Sequence, residues 1–161
     1  MTTMKHVLTA ALVPLALVVS GWSAGATPAV AADPQPVQPF VPGINEDPEL
    51  STAWQEWQSK EIEDYVISVR VSCFCVPAKP VVTIIRGDRM IKVTQGDRRL
   101  RPRRGSSMDE LFSMIREATA ASDSVTVDYA RRGVPKSIAI DPSTMVADDE
   151  TYYTVSVVRS D

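Results

Sequence analysis

Between Tyr65 and Cys75 the odd positions Tyr65, Ile67, Val69, Val71, Cys73 and Cys75 are apolar or sulfur-bearing, and Ser68, Arg70 and Ser72 between them are polar. Successive side chains of a strand point to opposite faces, so this alternation predicts a half-buried antiparallel strand, broken in phase only by Val66 and Phe74. A second signal follows at once. Gly87-Asp88, a Gly-first two-residue turn, predicts a hairpin. Counting outward from it sets Arg86 opposite Arg89, Ile84 opposite Ile91 and Val82 opposite Val93, so that apolar pairs share a face. Three later strands carry the inward sets Val125/Val127/Tyr129, Ile138/Ile140 and Tyr153/Val155/Val157, and Gly133-Val134-Pro135 separates the first two.

Two helices interleave with these strands. Asp47-Pro48 places an N-cap before a proline at the first helical position, and Leu50, Trp54, Trp57 and Glu61 follow at helical spacing. Such a stripe is the spacing of a buried face, which favours core over a sugar-stacking role for the tryptophans. Ser107-Met108-Asp109-Glu110 has the form of a capping box, and Met108, Leu111, Phe112, Ile115 and Ala118 form the stripe of a helix over 108–121. The predicted order is helix–three strands–helix–three strands. Each helix has one apolar stripe, so both pack on one face of an antiparallel sheet, an α+β fold.

The first 32 residues read as a secretory signal peptide: Lys5, an apolar run from Val7 to Val19, then Ala29-Val30-Ala31 as a small-x-small cleavage site. The run is shorter than the roughly 20 residues a spanning helix needs. Leu17-Val18-Val19-Ser20-Gly21-Trp22 has the shape of a lipoprotein signal with Trp22 where the lipid-bearing cysteine belongs, so no lipid tether is expected. Residues 33–47, with Pro34, Pro36, Pro39 and Pro42, are expected to form an extended spacer, and 48–161 a single α+β domain.

Removing the leader removes His6, the only histidine, together with Lys5. A Ser-His-Asp or Cys-His site and a His-ligated zinc are then excluded. The remaining 16 Lys and Arg against 20 Asp and Glu leave a formal charge of −4, which gives no overall reason to bind nucleic acid. No GxxxxGK or GxGxxG loop occurs. The expectation is a non-enzymatic chain without a cofactor and, after cleavage of the leader, without a transmembrane segment.

Three groups of residues could carry chemistry or binding. Cys73 and Cys75 are the only cysteines. Residues two apart on a regular strand have Cα atoms roughly 6.6 Å apart, and a disulfide wants Cβ atoms about 3.8 Å apart. A bridge therefore needs a bulge or a sharp turn, for which Pro77 marks the strand end. The alternatives are two buried thiols, in phase with Val69 and Val71, or a redox or soft-metal pair. Arg98, Arg99, Arg101, Arg103 and Arg104 form a basic loop, either a solvated connector or an anion contact. Asp141, Asp148, Asp149 and Glu150 are weak candidates for calcium, short of the six to eight oxygens that ion takes.

Trp54, Tyr65, Cys73-Phe74-Cys75, Met108-Asp109-Glu110-Leu111-Phe112, Gly133-x-Pro135-x-x-Ile138-Ala139-Ile140-Asp141 and Asp148-Asp149-Glu150 occur in that order. Over about residues 50–158 this set resembles the bacterial family of secreted proteins and lipoproteins known as domain of unknown function number 6174. Val134 stands where the family typically has Tyr, and Ala130 where it often has Asp after Tyr129. The resemblance implies fold and location and brings no activity with it. The reading that follows is a secreted binding domain for an extracellular or cell-envelope partner. The alternatives are thiol redox or copper handling through Cys73 and Cys75, and a secreted macromolecular inhibitor, the last on architecture alone.

Overall fold

The computed structural model describes residues 33–160, so the stretch over 1–32 expected to be a signal peptide, with His6 and the lipoprotein-like Leu17–Trp22, lies outside the described residues. The element order is β1 (Gln35–Pro36), α1 (Pro48–Gln58), β2 (Tyr65–Cys73), β3 (Val81–Arg86), β4 (Arg89–Gln95), β5 (Arg98–Leu100), α2 (Met108–Ala121), β6 (Ser124–Tyr129), β7 (Pro135–Asp141) and β8 (Thr151–Arg159), with short 3-10 turns at Pro102–Arg104 and Arg131–Gly133. All strands join one antiparallel sheet in the order β1-β4-β3-β2-β8-β7-β6, with β5 also on β4. The class is α+β with the sheet dominant. The expected order of helix and three strands, twice over, is not matched, because β1 precedes α1 and β5 follows β4. Both additions are short strands on the edge of β4. Their two- and three-residue lengths leave no room for the alternation that marked the others.

Local signals set the helix starts. Asp47 accepts the Leu50 N–H at 2.9 Å and Pro48 opens α1. Ser107 Oγ accepts from the Glu110 N–H, and the Glu110 carboxylate accepts from the Ser107 N–H, which completes the expected box. Leu50, Ala53 and Trp57 of α1 and Met108, Leu111, Phe112 and Ile115 of α2 meet Tyr65, Ile67, Val69, Ile85, Met90, Ile138 and Val155 in one core. The inward sets of β6, β7 and β8 pair in register: Val127 with Ile138, Ile138 with Tyr153, and Val155 with Val69. Trp57 is buried and stands edge-on to Tyr65; Trp54 is half-buried against Phe40. Both tryptophans serve packing.

Two expectations on this sheet need correction. Arg86 does face Arg89, but Ile84 pairs with Lys92 and Val82 with Thr94, not with Ile91 and Val93. A bulge at Ile91 shifts the ladder by one residue. It lets Met90 and Val93, three apart, both enter the core, and it leaves Ile91 outside. The turn has positive φ at both Gly87 and Asp88, the requirement of a type I′ turn.

The proline-rich stretch over 33–47 is not a spacer. Gln35 and Pro36 pair with Met90 and Arg89, and the Phe40 ring, 2% exposed, sits against Phe112 and Trp54. The Phe40 N–H donates to Asp109 Oδ1 at 3.0 Å, and Arg116 stacks over its ring at 4.6 Å while donating to the Val41 carbonyl. Proline disfavours regular ladders, but an edge strand needs few donors from its prolines, and one aromatic in such a segment suffices to anchor it.

Candidate functional site

The five arginines are built onto the sheet edge rather than into a loose loop. After a turn at Gly96, where φ is 59°, β5 doubles back on β4: Arg98 opposes Gln95, Arg99 opposes Thr94, and Leu100 opposes Val93 on the core side. Pro102–Arg104 then closes a 3-10 turn, with the Arg104 N–H on the Arg101 carbonyl at 2.9 Å and the Gly105 N–H on the Pro102 carbonyl at 2.8 Å. Arg98, Arg99, Arg101, Arg103 and Arg104 are all exposed. Among the described residues none of the five makes an ion pair or a side-chain hydrogen bond. Their backbone is held by ladder and turn hydrogen bonds while their guanidinium groups remain available. Five neighbouring positive charges with no carboxylate partner among the described residues repel one another, a cost that a bound polyanion would offset.

Cys73 and Cys75 form a disulfide. Cys73 ends β2, and the Cys75 N–H turns back onto the Cys73 carbonyl at 2.7 Å, an i→i+2 turn that brings the Cα atoms to 5.1 Å. The kink needed for closure is therefore present. The core-facing placement expected of the sulfurs is not: burial along β2 ends at Val69, Val71 is already exposed, Cys73 is half-buried and Cys75 is exposed. Phe74 and Val76 beside them are 84% and 87% exposed. Period-2 phase assigns a side of the sheet, but it does not say how far along that side the helices reach.

The acidic candidates lie at the far end of β7 and β8. Partial burial, then the charges of Asp149 and Glu150, raise the Asp141 carboxyl above its ordinary range. One oxygen each of Asp141 and Asp149 is buried without a hydrogen-bond partner. Asp148 is exposed in the left-handed region, φ 67°. Among the described residues no three Asp, Glu, Cys or His side chains converge in a way that could hold a metal ion.

Two further features are not among the candidates that the pattern of residues singles out. An open polar cleft is lined by Glu61, Glu63, Tyr65, Asp88 and Asp109, with Trp57 as its wall. Burial holds the Tyr65 hydroxyl and the Asp109 carboxyl above their ordinary values, Tyr65 OH accepting the Met108 N–H at 3.1 Å. On another side of Trp57 lies a cavity of about 450 Å³ with Arg131, Arg132 and Lys136 at its mouth. The paired arginines directly before Gly133 were the only trace of it in the sequence. No helix among the described residues is long and apolar enough to cross a membrane.

The architecture is thus an α+β domain whose sheet ends in an exposed cationic edge. The chain belongs to a family of unknown function (DUF6174), whose sequence profile matches residues 49–160. No curated protein and no solved structure matches it.

Proposed function

We propose that the protein acts outside the cytoplasm as a non-enzymatic binding domain whose arginine edge engages a polyanionic, phosphate-bearing component of the cell envelope. The observation that carries this reading is the set of five exposed, unpaired arginines held by β5 and the 3-10 turn on a chain of acidic net charge. Arginine's planar fork suits phosphate oxygens, and a rigid backbone spares part of the ordering entropy that a flexible basic tail would lose. The secretory leader over 1–32 supports the location. The test is co-sedimentation of the purified protein with phosphatidylglycerol vesicles and with phosphodiester wall polymer at increasing salt. Binding is expected to weaken steeply with salt and to fall about tenfold or more when all five arginines become serine. Binding that ignores both salt and the substitutions would overturn the reading.

The exposure of Cys75 favours a second reading, thiol–disulfide exchange at the end of β2, since an attacking thiolate can reach that sulfur. A reversible two-electron titration against glutathione supports it; a bridge that does not exchange under native conditions removes it.

A further inference from the structure

We propose that the fork between β7 and β8 binds a small amphiphilic anion, with the head on Arg131, Arg132 and Lys136 and the apolar body against Trp57, Val134 and Val157. The fork is a consequence of register. β8 pairs with β2 along its whole length, from Thr151 to Arg159. It pairs with β7 only from Ile140 opposite Thr151 to Ser137 opposite Thr154. Beyond that point β7 follows β6, and Pro135, opposite Tyr129, has no N–H with which to extend the ladder toward β8. From Val155 onward β8 therefore has a strand neighbour on one side only, and a cavity of about 450 Å³ opens there, in the size range of small-molecule sites (roughly 300–1,000 Å³).

The lining divides by chemistry. Trp57, Ile62, Val134, Val155 and Val157 supply an apolar floor, with Trp57, Val134 and Val155 otherwise buried in the core. The charged residues of the mouth are all cationic. Arg131 and Arg132 are exposed and make no ion pair among the described residues. Lys136 touches Asp128 at 3.8 Å, an exposed contact of little strength. On a chain of net charge −3, a mouth whose charged residues, Arg131, Arg132, Lys136 and Arg159, are all cationic, set over an apolar floor, selects an anion with a hydrocarbon body rather than a sugar or a cation.

The loop that presents the arginines is fixed rather than free. Gly133, φ 71°, lies so close to the Ala53 carbonyl of α1 that a Cβ there would overlap it. The Ala130 N–H donates to the Val134 carbonyl at 2.8 Å. Between them Arg132 is held in the left-handed region, φ 72° and ψ 18°, where a non-glycine residue is strained. A loop whose fold requires positive φ twice in succession carries glycine at one position and arginine at the other. Glycine at 132 would satisfy the backbone better; arginine there instead places a guanidinium at the mouth of the cavity.

This site lies at the opposite half of the sheet from β5, so it stands or falls independently of the arginine edge. The experiment is calorimetric titration of the purified protein with decanoate, decyl phosphate and the uncharged decyl maltoside, each below its micelle-forming concentration, with tryptophan emission followed in parallel. Saturable binding of one equivalent of either anion, with decyl maltoside failing, is expected; the preferred anion names the head group. Arg131→Ser with Arg132→Gly should weaken it about tenfold or more, and the five-serine variant of the β5 edge should leave it unchanged. Because Arg132→Gly relieves backbone strain, the loss cannot be assigned to unfolding, and a thermal melt checks this. No saturable binding, equal binding of decyl maltoside, an affinity indifferent to both substitutions, or binding only to phosphatidylglycerol vesicles would overturn the proposal.

Discussion

The main-chain N–H of Phe40 donates to Oδ1 of Asp109 at 3.0 Å, across 69 residues of sequence. That contact joins the proline-rich segment to the first turn of α2, where a carboxylate is favoured by the helix N-terminus. It is backed by the Phe40 ring packed on Phe112 and Trp54 and by Arg116 above it. The segment is thereby part of the core, and its removal should act on the whole fold.

Phe40→Ala should cost about 3–5 kcal/mol, the range for truncating a buried aromatic. Urea unfolding monitored by circular dichroism measures it. A midpoint unchanged from the parent would mean that residues 37–46 detach at no cost.

Asp109 adds a pH dependence. Burial is the largest influence on its carboxyl, Asp88 acts in the same direction, and together they outweigh the hydrogen bond from Phe40, so the folded-state value is raised. Glu110 is raised as well, chiefly by burial. A raised carboxyl binds its proton more tightly in the folded than in the unfolded chain. Its contribution to stability therefore falls as pH rises from the unfolded value, about 4, through the folded one. Asp109→Asn keeps an oxygen for the Phe40 N–H but cannot ionise. The variant should gain on the parent as pH rises from about 4 to 7. Melting curves across that range test it, and a parallel pH profile for the two proteins would refute the assignment.

Gly133→Ala and Arg132→Gly should move stability in opposite directions. The first forces a Cβ onto the Ala53 carbonyl at positive φ and should cost roughly 2–4 kcal/mol. The second relieves a left-handed arginine and should raise stability by up to about 1 kcal/mol. Paired denaturation curves report both signs in one comparison.

The disulfide closes a loop of three residues, so its stabilising effect is small, ~1–2 kcal/mol on loop-entropy grounds. Because the pair sits beyond the buried part of β2, mild reductant should open it with the sheet intact, and both thiols should alkylate under native conditions. Intact-mass measurement before and after reduction and alkylation, with far-ultraviolet circular dichroism alongside, gives the answer. Resistance to reductant until unfolding would contradict the exposed placement.

The five-serine variant of the arginine edge should be no less stable than the parent, since removing mutually repelling charges relieves strain rather than creating it. A loss of more than about 1 kcal/mol in urea would mean that these side chains hold the fold together.

What the chain wrote locally could be read locally. The strands with inward sets from Tyr65 to Val157 and the caps at Asp47 and Ser107 depend on neighbours within two to four positions, where period and hydrogen-bonding reach are set by the backbone itself. The arginine run and the cysteine pair were visible for the same reason. Contacts far apart in sequence decided the rest. Phe40 found a pocket between Trp54 and Phe112, and Ile91 was pushed out so that Met90 and Val93 could both enter. β7 parted from β8 after Ser137, which opened the cleft beside Trp57. How far the helices cover the sheet placed Cys75 in solvent although its phase pointed inward. Alternation assigns a residue to a face; only the packing of helix on sheet determines whether that face is buried there.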